Sequence, residues 1–389
     1  MKPQRNTTKT IDNTYLLNKR ALWYGRNNIH KCSYEEKLEG TKQAIKEYFE
    51  FFGGRVFLQY GGGIKSDVLR DIINKQYAHI YSVYFDNGTD YDLIRSHALV
   101  TADIVYNPFN TKNSKRPSCM KEVIEKYGYP TVNHKIDLKV WSEKKQQKDP
   151  NYDAEKEIKK ELGNIREELY DVDEEMRFIN DPFPLREELL YTDFDVAPFC
   201  CQILFQGFLN RYLGTSKCAR ISPLITTDSR LLFRKWVEHG ENDYSDYEGR
   251  KRIMTAMRKP VSYPLIRWTR SDILRYAKEN NIDYCKEFYG DIIEIPMENG
   301  ENEFITTKRK ESKCKYCIYK RYENEPSPNR WEQMKKDFPK EYRQIIEGGE
   351  YRRGKDGVTK WKPSKKGLGF SHIMDFLANI CHNDNFKKY

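Results

Sequence analysis

The 389 residues carry 68 Lys and Arg against 58 Asp and Glu, a formal net charge of +10, with 38% hydrophobic residues and nine cysteines. That length excludes a single small domain and points to one large α/β domain with helical additions, or to two domains. No run of eighteen apolar residues occurs and the start Met1-Lys-Pro-Gln-Arg-Asn-Thr-Thr has no apolar signal-peptide core, so a soluble, cytoplasmic protein with no membrane partner is expected.

Residues 1–53 read as an N-terminal helical segment, in which Ser33-Tyr-Glu-Glu36 has the pattern of a capping box. It opens a helix through Ala44, Ile45, Tyr48 and Phe49 that Gly53 and Gly54 stop. Val56, Phe57 and Leu58 then form the short apolar run of a strand buried on both faces of a parallel sheet. The strand leads through Tyr60-Gly61-Gly62-Gly63-Ile64-Lys65-Ser66 into a helix whose Val68, Leu69, Ile72 and Ile73 share one face. Glycine permits positive φ and close backbone approach, and Ser66 is placed to cap the helix. Unpaired N–H groups at a helix start attract an anion, and Lys65 adds positive charge, so phosphate or sulfate would fit there. The alternative is a glycine turn that only joins strand to helix. Neither the Walker A spacing nor the dinucleotide fingerprint is met in full, although Asp86 lies about twenty residues downstream.

Tyr81-Ser-Val-Tyr-Phe-Asp86-Asn-Gly88 reads as a second buried strand. Helix, strand, loop, helix, strand predicts a doubly wound, mostly parallel α/β sheet over residues 54–275, with ligand at the carboxyl ends of the strands. Residues 151–181, rich in Asp, Glu, Lys and Arg, read as a charged helical insertion, solvated rather than a partner site. A closing segment, 276–320, and a helical and basic C-terminal region, 321–389, follow. In the latter, Trp331, Met334 and Phe338 are expected to pack rather than bind. Tyr351 to Lys366 carries seven basic residues and one acidic, interleaved with Tyr351 and Trp361. That suits phosphate contacts and stacking on DNA or RNA, or simply a basic, solubilising loop.

An odd cysteine count without an export signal favours thiols or metal ligation over a disulfide framework. Cys200 and Cys201 are adjacent, and Cys314-Lys-Tyr-Cys317 is a Cys-x-x-Cys. Four soft thiolates suit an iron–sulfur cluster or zinc, while a redox dithiol and inert buried cysteines stay open.

The glycine loop resembles the PP-loop of the adenine nucleotide α-hydrolase superfamily, and specifically the phosphoadenosine phosphosulfate (PAPS) reductase family, whose usual loop is Ser-Gly-Gly-Lys-Asp-Ser. Tyr60-Gly-Gly-Gly-Ile-Lys-Ser66 follows a variant found in members that look phage-borne, with Ile64-Lys65 where the usual loop has Lys-Asp. Asp86-Asn-Gly88 is similar to the family's Asp-Thr-Gly, Tyr127-Gly-Tyr-Pro130 contains its Gly-Tyr-Pro, and Thr226-Thr-Asp-Ser-Arg230 stands where members carry Ser-Glu-Ser-Arg. Pro264-Leu-Ile-Arg-Trp268-Thr-Arg-Ser-Asp272-Ile resembles Pro-Leu-x-x-Trp-Thr-x-x-Asp-Ile, and the likeness spans about residues 55 to 335.

The resemblance implies an adenine nucleotide, ATP or PAPS with Mg²⁺, bound by Tyr60, Gly61, Gly62, Gly63, Lys65, Ser66, Asp86, Gly88, Ser229, Arg230 and Arg234. Lys65, Ser66 and Arg230 would be catalytic. Cluster-bearing members share the Cys-Cys then Cys-x-x-Cys order, which implies a [4Fe–4S] cluster, with zinc as the alternative, on Cys200, Cys201, Cys314 and Cys317. Three readings follow. One is nucleotide-dependent sulfur transfer, with a sulfur-donor partner and DNA or RNA or a small molecule as acceptor. Another is a PAPS or adenylylsulfate reductase served by an electron-donor protein. The reductases' Glu-Cys-Gly-x-His segment is missing, and Cys381-His382 alone stands near its place. The third is a non-catalytic nucleotide- or nucleic-acid-binding module.

Overall fold

The computed structural model describes residues 32–107, 117–154, 156–157, 183–228, 242–243, 260–298, 302–319 and 329–381. In chain order these give α1 (Tyr34–Phe51), β1 (Val56–Tyr60), α2 (Ile64–Gln76), β2 (Ser82–Phe85), α3 (Asp92–Thr101), β3 (Ile104–Tyr106), α4 (Met120–Lys126), α5 (His134–Lys148), α6 (Phe183–Leu190), α7 (Gly207–Ser216) and β4 (Ala219–Ile221). There follow β5 (Asn242–Asp243), β6 (Val261–Ser262), α8 (Arg270–Glu279), α9 (Lys286–Tyr289), β7 (Ile292–Pro296), β8 (Asn302–Thr306), α10 (Arg330–Asp337), α11 (Pro339–Ile346), β9 (Glu350–Arg353), β10 (Thr359–Lys362) and α12 (Phe370–Cys381). Most of the charged insertion expected at 151–181 lies outside the described residues. Among the described residues no helix is long and apolar enough to cross a membrane.

The chain divides into two compact units, each discontinuous in sequence. The first takes in the described residues up to Phe85, Asp92–Tyr106 and Tyr212–Ser312, and the second takes in Asp86–Tyr91, the described part of Asn107–Arg211, and the described residues from Lys313 onward.

The first unit is an α/β fold around a six-stranded sheet of order β3-β2-β1-β4-β6-β5. β1 pairs in parallel with β2 (Leu58↔Ser82) and with β4 (Val56↔Ala219), and only the short edge strand β5 runs antiparallel. The chain therefore winds one way from β1 through β2 to β3 and the other way through β4, which puts the switch point between β1 and β4. Val56, Phe57 and Leu58 are buried, and all four residues of β2 are too, as the unbroken apolar runs require. Ser33 caps α1 through the capping box read from the sequence, its hydroxyl accepting from the Glu36 N–H while the Glu36 carboxylate accepts from the Ser33 N–H.

The Pro264–Ile273 motif has a structural explanation within this unit. Thr41 on α1 donates to the Pro264 carbonyl (2.8 Å) and accepts from the Trp268 indole (2.8 Å). Thr269 and Asp272 form a second capping box at the start of α8, and Asp272 also holds the buried Lys37 ammonium at 2.8 Å.

The second unit is mainly helical and carries the antiparallel β9–β10 hairpin, in register Thr359↔Arg353 to Lys362↔Glu350. The basic stretch after Tyr351 is thus partly a paired ribbon rather than a loop. Trp331 and Met334 are buried as expected, and Phe338 is half-buried with its ring 5.1 Å from that of Tyr91. The Gly-Tyr-Pro motif is architectural: Gly128, at φ +129°, passes so close to Asp195 that a Cβ would meet its backbone at 2.4 Å, and the buried Tyr129 donates to the Leu368 carbonyl at 2.7 Å.

Candidate active site

The glycine loop leaves the carboxyl end of β1 at the switch point, where an open parallel sheet takes its ligands. The helix after it begins at Ile64 and its N-cap is Gly63, so Ser66 lies in the first turn and does not cap it. The buried Ser66 hydroxyl turns back instead and accepts from the Gly61 N–H at 3.1 Å, closing the loop on itself. A cap must precede the first turn to reach its donors, and the helix starts three residues earlier than the serine would need.

Two of the three glycines are crowded by neighbouring protein, Gly62 by backbone and Gly63 by side-chain hydroxyls. Gly62, at φ +67°, is so close to α3 that a Cβ would lie 2.8 Å from both the Ile94 carbonyl oxygen and the Ala98 Cβ. A Cβ on Gly63 would lie 2.6 Å from the Ser312 hydroxyl and 3.0 Å from that of Tyr289. Gly61 has only the Ser66 hydroxyl, 3.5 Å away, so it alone has room on its open side. The Tyr289 hydroxyl donates to that of Ser312 at 2.9 Å and lies near the Ile64 N–H. The N–H groups of Gly62, Gly63 and Lys65 meet no acceptor among the described residues.

Lys65, on the first turn of α2, reaches the loop after β4 and pairs with Asp228 at 2.5 Å. Asp228 in turn accepts from the Ile225 N–H at 2.9 Å, which fixes the short 3₁₀ turn Thr226–Asp228. The loops after β1 and β4 are therefore joined across the switch point by an ion pair. Sequence reading passed over Asp228 in favour of Ser229, Arg230 and Arg234, which lie outside the described residues. The acid in the middle of Thr-Thr-Asp-Ser-Arg was the available signal.

Behind the loop runs a second polar chain that the sequence did not suggest. Tyr60, at the end of β1, donates to Asp67 on α2, and His97 on α3 approaches the same carboxylate oxygen at 3.1 Å. The other Asp67 oxygen is buried without a partner among the described residues. Burial pushes the Asp67 carboxyl above the usual range despite His97 and Tyr60. Burial opposes charge on His97, but the bond and charge of Asp67 outweigh it and raise the imidazole.

In the second unit Asp86, which follows β2 in the chain, is buried, with the Asn107 amide 3.4 Å from its carboxylate. Asn87 caps its own turn by accepting from Thr89 N–H (3.0 Å) and hydroxyl (2.7 Å), and Gly88 takes φ +72° with open space around it. The Thr89 carbonyl accepts from Lys315 N–H at 2.8 Å, which ties this turn to the Cys-x-x-Cys.

Cys200 and Cys201 open a helical stretch that passes through a π-helical turn, Gln202–Gln206, into α7. Such turns widen a helix and recur at functional sites. The four expected ligands are partly exposed free thiols within electrostatic reach of one another. Hydrogen bonding to Cys201, then burial and the other three sulfurs, raises Cys200, whereas Cys201 is lowered by Cys200 and by His134 beside it. Burial, then Cys317 and Cys201, raises Cys314. Around them Tyr319 donates to Asp137 at 3.0 Å and its ring lies tilted at 4.3 Å from that of His134, and complete burial pushes the Asp137 carboxyl up to about 6. Arg330 donates to the Cys314 carbonyl and, at 2.9 Å, to that of Cys317. The donor chemistry suits a soft metal or cluster. Among the described residues, however, no group of three or more His, Cys, Asp or Glu side chains is gathered into a metal site as it stands.

No family model matches the chain, and no curated protein matches it either. Among solved structures it is similar to the phosphoadenylyl-sulfate (PAPS) reductase from Candida auris in its phosphate complex, with 12% identity and a TM-score of 0.32 over 73% of this chain and 92% of that one.

Proposed function

We propose that this chain is a PP-loop enzyme of the PAPS reductase type that uses an adenine nucleotide, ATP or PAPS, in sulfur transfer and carries a [4Fe–4S] cluster on Cys200, Cys201, Cys314 and Cys317. The observation that carries the nucleotide reading is the loop at the switch point, where the Gly62, Gly63 and Lys65 amides lack acceptors among the described residues and the Lys65 ammonium stands beside them on the first helical turn. Phosphate accepts from those amides, and Lys65 exchanges its Asp228 partner for a phosphate oxygen. Ser66 holds the loop closed from beneath. Asp86, Gly88, Ser229, Arg230 and Arg234 enter this reading from their motifs alone.

With ATP, the acceptor's oxygen attacks the α-phosphorus and pyrophosphate leaves, and sulfur from the donor then replaces that oxygen on the acceptor as AMP departs. Positive charge on Lys65 and Arg230 stabilises the phosphate oxygens in the transition state. Cys200, Cys201, Cys314 and Cys317 would hold the cluster, which would link segments more than a hundred residues apart and supply a fixed local charge. Arg330 orients the Cys-x-x-Cys carbonyls, and His134 stands beside Cys201.

Calorimetry of the anaerobically purified full chain with ATP, adenylylsulfate and PAPS tests the nucleotide. Preference for ATP supports sulfur transfer, preference for PAPS moves the assignment to sulfonucleotide reduction, and binding of none rejects both. Lys65→Ala should abolish binding or turnover, and unchanged binding would remove Lys65 from the site. Iron, sulfide and zinc analysis of the same preparation tests the cluster, which metal-free or zinc-only protein rejects.

A further inference from the structure

We propose that the cleft of the second unit between α5 and the β9–β10 hairpin is a binding site for the phosphodiester backbone of a nucleic acid. The cleft encloses about 760 Å³, and nine basic side chains line it against three acidic ones. Lys144, Lys145 and Lys148 come from one wall of α5, while Arg352, Arg353 and Lys355 come from the hairpin opposite.

All three acids are already engaged in holding this array in place. Asp195 pairs with both Lys360 and Lys362, the latter at 2.8 Å, so one carboxylate faces two ammonium groups. Burial opposes its charge, but the two lysines hold the Asp195 carboxyl down to about 2, so it stays ionised at any working pH. Glu125 meets Arg352 at 3.2 Å and Asp356 meets Lys148 at 3.1 Å. Lys145 and Lys355 are exposed and meet no carboxylate among the described residues. The lining therefore keeps a surplus of six positive charges after every acid in it is counted.

That surplus selects the ligand. One phosphate group needs two or three donors, whereas cations spread over a helix and a facing ribbon match a row of phosphates along a strand. The hairpin edge also presents Tyr351, 54% exposed, with its hydroxyl hydrogen-bonded to Asp193 and its ring 5.2 Å from that of Trp361, which is itself stacked on His372 at 4.6 Å. That aromatic pair lies on the hairpin face opposite to Lys360 and Lys362, so the phosphate contacts of the cleft, not base stacking, carry the recognition. The inference stands on the second unit alone and does not depend on what the glycine loop binds.

The test is fluorescence anisotropy of labelled 20-mers, as single-stranded DNA, duplex DNA and RNA, on the full chain between about 50 and 200 mM salt. The expected result is binding in the micromolar range or tighter that weakens log-linearly with salt. Lys145→Ala with Lys355→Ala should lower the slope by about 0.7 to 0.9 per lysine and weaken binding alike for all sequences. Both side chains are exposed, so the variant should keep the wild-type circular dichroism and urea midpoint. The proposal is overturned if no 20-mer binds at low salt, or if the double variant binds as wild type does. It is equally overturned if inorganic tripolyphosphate or a poly-glutamate peptide displaces the 20-mer as well as unlabelled DNA does.

Discussion

Replacing Gly62 by alanine should damage the first unit far more than the same change one residue earlier. At φ +67° an alanine is forced into left-handed backbone, at a cost of about 1–2 kcal/mol. Its Cβ would also stand 2.8 Å from the Ile94 carbonyl oxygen, a backbone atom that cannot turn aside, and overpacking of this kind costs about 1–3 kcal/mol. The combined loss is about 2–5 kcal/mol. With a urea m-value of about 3 kcal/mol per molar, the unfolding midpoint falls by about 1 M at constant slope. Gly61→Ala meets nothing closer than 3.5 Å and should lose less than about 1 kcal/mol, part of it offset by a stiffer unfolded chain. Urea titration followed by circular dichroism compares the two. A Gly62→Ala loss under about 1 kcal/mol, or one equal to that of Gly61→Ala, would refute the packing argument.

The Asp228 pair gives a test of opposite sign: if Lys65 leaves it for phosphate, Asp228→Asn should tighten nucleotide binding about 3–10-fold while Lys65→Met abolishes it, and weaker binding by Asp228→Asn in calorimetry contradicts the exchange. His97, raised by Asp67, binds its proton more tightly folded than unfolded, so its contribution to stability is complete below about pH 6.5 and lost as pH rises through the higher folded value. Asp67, also raised, acts in the same direction from about pH 4 upward. Urea midpoints should therefore fall as pH rises above about 6.5 in the wild type and change less in His97→Gln; equal slopes would show that His97 does not titrate there. Arg330→Ala strips the donors from two carbonyls of the Cys-x-x-Cys and should lower bound iron and sulfide per chain, with Arg330→Lys a poor rescue because one ammonium lacks the planar fork. Iron retained in full by Arg330→Ala would leave it without a role there.

The sheet was legible because its central strands are unbroken apolar runs, and Val56–Leu58 and the strand before Asp86 form where their pattern requires. The capping box at Ser33 was legible for the same local reason. Side-chain partners across long separations were not. Nothing in the order of residues says that Asp228 meets Lys65 163 positions away, or that Arg330 grips the Cys-x-x-Cys. Ser66 shows the limit within a motif: a serine before an apolar run reads as a cap, yet the helix begins earlier because Gly63 supplies the extended backbone that a cap needs. The basic stretch after Tyr351 read as a loop because its strands lack apolar alternation, and pairing with each other and with Asp195 orders them instead.

The glycines of the loop divide between two explanations, and the division decides what the loop can be taken to mean. Gly62 would be needed in a protein that bound nothing, since α3 leaves it no room for a side chain, and Gly63 is crowded by the Ser312 and Tyr289 hydroxyls. Packing does not require Gly61, and it does not account for amides without acceptors among the described residues beside a lysine at a switch point. A methyl at Gly61 leaves the fold almost untouched yet stands next to the Ser66 hydroxyl, at the mouth of any anion cradle. Gly61→Ala should thus keep the urea midpoint and lose nucleotide affinity by tenfold or more, about 1.4 kcal/mol. If affinity also holds, the loop is a connection between strand and helix, and the ligand, if the unit takes one, lies elsewhere.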